Sequence, residues 1–175
     1  SQLGAKVAIV EDTYIGGVCL NVGCIPSKAL LRSAEVYETL HDAEQFGIQV
    51  EGTIEPDWPA IQKVKDQAVK RLTTGVGVLL RKAEVTIFEG RGQFADAHTV
   101  TVTNAESTQQ IAAQNVIIAT GARPIRLPLP GFDLEGVRDS TGALDLDALP
   151  ASLLIVGGGV IGVEFANIFA SFGVE

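Results

Sequence analysis

The chain has 175 residues, 46% of them hydrophobic and 19% charged, with a net charge of −8. That length and apolar content suit one buried core, or one domain plus a piece of another, and exclude a disordered chain. The negative charge argues against a nucleic-acid partner, which would need a basic face. No apolar run approaches the ~20 residues of a membrane span, and the two cysteines do not make a disulfide scaffold.

The expected fold class is α/β. No signal peptide is present, methionine is absent, and Ser1 opens inside what reads as a helix end, so the expectation is a trimmed piece of a longer protein. Residues 6–11 form a short apolar run closed by Glu11, which reads as a buried parallel strand. Residues 16–28 follow and hold both cysteines, Cys19 and Cys24, and then Lys28. A helix is expected after the motif to about residue 40, and a loop over 41–56. From Trp58 the apolar residues Ile61, Val64, Ala68, Leu72, Val76 and Leu79 recur every three or four positions, predicting a helix to about residue 82. Gly75 and Gly77 should weaken or kink its last turns.

Strands are expected at 84–89, 93–94, 99–103 and 109–112, where threonine and valine alternate as in a half-buried meander. Residues 116–119 read as another buried strand, closed by Thr120 and Gly121. Three prolines between 123 and 130 mark a linker. Residues 153–156 then start a strand, the glycines at 157–162 turn the chain, and a helix runs through residue 172. The two ends repeat each other: residues 171–175 line up with 2–6 as helix end, glycine and strand entry. Two dinucleotide-binding βαβ units are inferred, the first lacking its beginning and the second its end.

Gly157-x-Gly159-x-x-Gly162 stands between strand and helix, the context that gives this spacing meaning. The first glycine permits a tight turn, the second a close approach to a pyrophosphate, and the third close helix–strand packing. The free N–H groups of the helix N-terminus would receive the phosphates. An acid expected about 20 residues further on, which would tell NAD from NADP, falls past residue 175. Glu11, at the end of the first strand, is either a ribose ligand of the other unit or a solvated carboxylate.

Cys19 and Cys24 admit three readings: a metal site, a buried reduced pair, or a redox disulfide. Zinc wants four ligands, and His41 and His98 lack paired spacing, so no metal is expected. Free cysteine is often core, but a pair at a helix start favours the redox reading, because the helix N-terminus stabilises thiolate. Lys28 is either a surface lysine or a buried cation needing an anionic partner. Glu164, on the helix after the glycine loop, is the candidate partner.

Residues 16–31 resemble the active-site signature of the flavin-dependent pyridine nucleotide–disulfide oxidoreductases. The wording Cys19-Leu-Asn-Val-Gly-Cys24-Ile-Pro-Ser-Lys28 is most similar to the dihydrolipoamide dehydrogenase branch. The resemblance continues through residues 118–124 and 153–165 and spans essentially the whole chain. It departs at Val18, where the family usually has threonine.

The resemblance implies specific roles. Cys24 would be the thiol against the flavin, and Cys19 the thiol that meets the substrate. Glu11, Gly17, Lys28, Gly92, Thr120 and Gly121 would meet FAD, with Lys28 paired to Glu164. Gly157, Gly159 and Gly162 would take NAD. It further implies a partial, Rossmann-like FAD-binding domain with a β-meander over 1–142, and the start of a Rossmann-like NAD-binding domain over 143–175. The implied activity is oxidation of dihydrolipoamide on lipoyl domains of 2-oxo acid dehydrogenase complexes, in a homodimer, in bacterial cytoplasm or an organelle matrix. Neither His41 nor His98 matches the family's catalytic base, so the chain alone is expected to be inactive and to hold FAD poorly. The alternatives are an NADPH-dependent glutathione- or mercuric-reductase-like enzyme, or a non-catalytic nucleotide-binding redox subunit.

Overall fold

A computed structural model describes residues 1–175. In chain order its elements are β1 (Ala8–Glu11), α1 (Gly17–Val22), α2 (Cys24–His41), α3 (Trp58–Lys82), β2 (Thr86–Glu89), β3 (Arg91–Asp96), β4 (Thr99–Thr103), β5 (Thr108–Ala112), α4 (Ser140–Ala143) and α5 (Val160–Ser171). The chain divides into two compact units, Ser1–Gly17 with Arg71–Ala122 and Val18–Lys70 with Arg123–Glu175.

In the first unit β1 and β2 pair in parallel, from Ala8 opposite Thr86 to Glu11 opposite Glu89. The ladder extends through Thr86 N–H to the Val7 carbonyl (3.2 Å) and Gly90 N–H to the Glu11 carbonyl (2.9 Å). The expected meander is present: β3, β4 and β5 pair antiparallel in sequence order, with an irregularity between Phe94 and Asp96. Alternation along β4 buries Val102, as a strand with one packed face requires. Gly90 joins the two sheets at φ 142°, where a Cβ would lie 2.6 Å from the Thr103 carbonyl oxygen. The strand expected from residue 84 begins at Thr86 instead. Glu84 takes a left-handed φ of 54°, and Glu84 N–H and Val85 N–H bond the carbonyls of Arg81 and Leu80. This is the paired bonding of a Schellman cap, and it closes the helix before the strand starts.

One strand expectation is corrected here. Residues 116–119 form no strand, and Ile117 and Ile118 are 90% and 72% exposed. A run apolar on both faces needs neighbouring strands to satisfy its backbone. β1 and β2 pair only with each other, so no ladder reaches it.

The second unit is held by α2, the first turns of α3, the segment from α4 to Leu149, and α5. Leu30 and Ala34 of α2, Trp58 of α3, and Ile168 and Phe169 of α5 are buried in one cluster with Leu144. Ring centroids of Trp58 and Phe169 lie 5.9 Å apart, and those of Phe165 and Phe169 stack at 6.1 Å. Such aromatic pairs contribute about 0.5–1.5 kcal/mol beyond their burial. α2 and α5 are tied twice, by Lys28 to Glu164 and by Ser171 Oγ donating to Glu38 Oε1 at 2.6 Å. Both ties advance along the two helices in the same sense, so the helices run parallel with their N-termini at one end.

α3 is helical through Gly75 and Gly77 to Lys82. The stretch 41–56, expected as loop, contains a 3-10 turn at Ala43–Phe46 closed by Gly47 at φ 74°. α4 is capped by Asp139, whose side chain accepts from Gly142 N–H. The strand expected at 153–156 is also corrected: it is not formed, and Leu154 and Val156 are 89% and 72% exposed. Its beginning survives. Leu153 N–H bonds the Glu175 carbonyl (2.7 Å) and Glu175 N–H bonds the Ala151 carbonyl (3.2 Å), the pattern of a parallel bridge. That is the first link of a strand–helix–strand unit around α5.

Candidate functional site

Cys24 is the first residue of α2, and Cys19 lies within α1. The join between these helices is Gly23. A Cβ there would stand 3.0 Å from the Val18 carbonyl oxygen and 3.2 Å from Cys19 Cα, so the missing side chain lets the two cysteine turns close up. Ser27 locks the first turn of α2: its N–H and its Oγ both donate to the Gly23 carbonyl, at 3.1 and 2.9 Å, and Oγ also meets the Cys24 carbonyl at 3.1 Å.

Both sulfurs are free, exposed thiols. The Cys19 thiol is pushed above its ordinary range, first by its hydrogen bond with Cys24, then by desolvation, then by charge on the Cys24 sulfur. The backbone N–H of Cys24 and then Lys28 pull the other way, with smaller effects.

Lys28 follows Cys24 by one helical turn and so shares its face of α2. Its Nζ pairs with Glu164 Oε1, as expected from sequence. Of the two alternatives for this lysine the buried one is not met: its side chain is 53% exposed, and that of Glu164 26%. Such a pair stabilises by at most about 1 kcal/mol. It also sets a register. Lys28 is the fifth residue of α2 and Glu164 the fifth of α5, so the N-termini of the two helices lie level.

At the α5 end, Gly157 has φ 117°, which only glycine adopts freely. A Cβ on Gly162 would lie 2.4 Å from the Gly157 carbonyl oxygen and 3.2 Å from Ile155 Cγ2. Gly159 is the N-cap and supplies no side chain to the helix end. The first helical bond is Val163 N–H to the Gly159 carbonyl (3.0 Å), which leaves the N–H groups before it outside the ladder. A turn bare of side chains, ending in free donors, fits a pyrophosphate.

The remaining expected ligands are in the first unit. Glu11 ends β1, and its Oε1 accepts from Thr13 N–H (2.9 Å) and Tyr14 N–H (3.2 Å), which holds the carboxylate at the strand end. Gly17 has φ 66°. Gly92 lies on β3, where a Cβ would meet Val10 Cγ1 at 3.3 Å, so it lets β3 lie close against β1. Thr120 and Gly121 are exposed and in no regular element, with Gly121 at φ 75°. The structure thus gathers Cys19, Cys24, Lys28 and Glu164 with the 157–162 turn in one unit, and Glu11 with Gly92 in the other. No group of three His, Cys, Asp or Glu side chains is placed to hold a metal ion, and no helix is long and apolar enough to cross a membrane.

Residues 1–175 match the family described as pyridine nucleotide-disulphide oxidoreductase. The chain is 47% identical over 175 residues to a dihydrolipoyl dehydrogenase of Geobacillus stearothermophilus, covering all of this chain and 37% of that protein. It is 45% identical over 177 residues to one of Acholeplasma laidlawii, covering 99% of this chain and 52% of that protein. Among solved structures, the Cu(II) complex of the HOCl-induced flavoprotein disulfide reductase RclA of Escherichia coli superposes with a TM-score of 0.84 at 32% identity, over 99% of this chain and 36% of that one. The chain therefore spans roughly a third to a half of the length of these proteins.

Proposed function

We propose, starting from the fact that the chain belongs to the pyridine nucleotide-disulphide oxidoreductase family, that it is the dithiol-bearing part of an enzyme that oxidises dihydrolipoamide to lipoamide with NAD as acceptor. The observation that supports this best is the level placement of two helix N-termini. One presents Cys24, with Cys19 hydrogen-bonded to it, and the other presents the glycine turn, with Lys28 and Glu164 bridging between them.

In this reading the resting couple is a Cys19–Cys24 disulfide. A thiolate of the substrate attacks Cys19 Sγ, the Cys19–Cys24 bond breaks, and Cys24 leaves as a thiolate held by the first turn of α2. The substrate's second thiolate attacks its own mixed-disulfide sulfur. Lipoamide departs and Cys19 takes up a proton, which its raised affinity for protons favours. Bound FAD would supply the acceptor for the electron pair and pass it as hydride to the nicotinamide. Glu11 would hold the adenosine ribose of FAD, with Gly17, Gly92, Thr120 and Gly121 along the same cofactor. Gly157, Gly159 and Gly162 would take the NAD pyrophosphate. Lys28 would offset charge arriving at the flavin, with Glu164 fixing its position.

The same proposal carries the division into FAD-binding residues 1–142 and NAD-binding residues 143–175. It also carries the homodimer, the lipoyl domains of 2-oxo acid dehydrogenase complexes as partners, and a cytoplasmic or organelle-matrix location. The test is dihydrolipoamide-dependent reduction of NAD by the full-length protein, with NADP in parallel. Rapid reduction of NAD is expected. Preference for NADP with a different disulfide substrate would favour the glutathione- or mercuric-reductase-like alternative, and no turnover with flavin bound would overturn the enzymatic reading.

A further inference from the structure

One buried charge in the second unit has no part in this chemistry. Lys65 lies on α3 with its side chain 4% exposed. Its Nζ donates to the Leu144 carbonyl at 2.9 Å and to Asp145 Oδ1 at 2.5 Å, and lies 3.2 Å from Asp66 Oδ1. Both carboxylates are 69% exposed, so the charge is met where its buried stem reaches the surface. Trp58 Nε1 donates to the Leu146 carbonyl at 2.7 Å, and Gln62 Nε2 to the same oxygen at 3.4 Å. Trp58, Gln62 and Lys65 are spaced by four and three residues and so lie on one helix face. Three donors on one face therefore grip two carbonyls and one carboxylate of residues 144–146.

The grip has a consequence for the site. Leu144 belongs to the buried cluster with Leu30 and Phe165. Leu30 comes two residues after Lys28, and Phe165 directly follows Glu164. A buried lysine is a poor means of adding stability, since an apolar residue of similar volume often serves as well or better. Its directional donors, by contrast, can fix a segment in one place.

We propose that Lys65 is a positioning residue for the dithiol: by holding residues 144–146 against α3 it fixes how α2 and α5 meet, and through them the Lys28–Glu164 pair beside Cys24. This rests on the reading of Cys19 and Cys24 as a redox couple.

The test is the thiol–disulfide equilibrium of that couple in the full-length flavin-bound protein, poised against a dithiothreitol buffer and read by alkylation and mass. The variants are Lys65→Met, Lys65→Arg and Asp145→Asn. Couplings of this kind are on the order of 0.5–2 kcal/mol, so Lys65→Met should shift the equilibrium constant by roughly 2- to 30-fold. Lys65→Arg should restore most of the shift, and Asp145→Asn should move it less and in the same direction. A purely structural role would lower the melting temperature and leave the equilibrium of the folded protein unmoved, which overturns the proposal. If Lys65→Met does not fold, the exposed Asp145→Asn decides on the same criterion. A parent protein that forms no disulfide at any poise would sink the redox reading itself. A parent that titrates normally, with variants that match it, would sink the Lys65 inference alone.

Discussion

Lys28 and Lys65 belong to the same unit and each meets a carboxylate, but their surroundings differ. Lys28 is half exposed and pairs with Glu164 beside the two helix N-termini. Lys65 is buried and also grips a main-chain carbonyl. In water the first pair adds little to stability and stays able to respond to charge that appears nearby. The second cannot be removed without leaving the Leu144 carbonyl short of a donor in a dry place. The N-terminal end of the α2–α5 pair is thus open and suited to chemistry, and the buried cluster beneath it, with Trp58 and Leu144, is a closed base suited to holding shape.

The contrast is sharpest in stability. Trp58→Ala removes the largest side chain of the base and the donor to the Leu146 carbonyl, so it should cost about 3–5 kcal/mol in urea-induced unfolding. Lys28→Met should change the same measurement by less than about 1 kcal/mol. Equal losses from the two variants would erase the distinction between base and open end.

The glycine turn tests the open end. Gly162→Ala places a Cβ 2.4 Å from a backbone oxygen, whereas Gly158→Ala has nothing within 4 Å. The first should cost about 1–3 kcal/mol by overpacking and weaken NADH binding to the full-length protein. The second should leave binding nearly intact. Calorimetric titration of both separates a turn shaped for a dinucleotide from a turn that is merely glycine-rich.

How much of this was legible from sequence follows the same line. Gly157, Gly162, Cys24 at a helix start, and Lys28 with Glu164 all stand in motifs whose spacing carries a mechanism, and all take the geometry that spacing implies. The meander showed in its threonine–valine alternation. Residues 116–119 and 153–156 were misjudged because apolar runs report strand preference, while a strand also requires a neighbour to bond. The depth of Lys28 stayed open between surface and buried because a motif names a partner without giving its depth. Lys65 was overlooked because a lysine on the apolar stripe of α3 reads as a solvated charge. Its only signal was that it falls on the same face as Trp58. The acceptors that explain its burial lie 79 and 80 residues away in the chain.

The smallest effect tests the electrostatics at Cys19 directly. Its thiol is held above its ordinary range chiefly by the side-chain hydrogen bond to Cys24, with desolvation and charge on the Cys24 sulfur adding to it, while the backbone N–H of Cys24 and then Lys28 oppose them. A raised thiol needs a higher pH to become the thiolate that alkylates. Cys24→Ala removes the hydrogen bond and the neighbouring charge and leaves Lys28 in place, so the midpoint of the iodoacetamide rate profile of Cys19 should fall. Adding Lys28→Met to that variant removes one of the two remaining attractions, the backbone N–H of residue 24 being the other, so the midpoint should rise part of the way back. A Cys19 midpoint unmoved by either change would mean that the open end does not couple its charges. Lys28 would then be as much a structural group as Lys65.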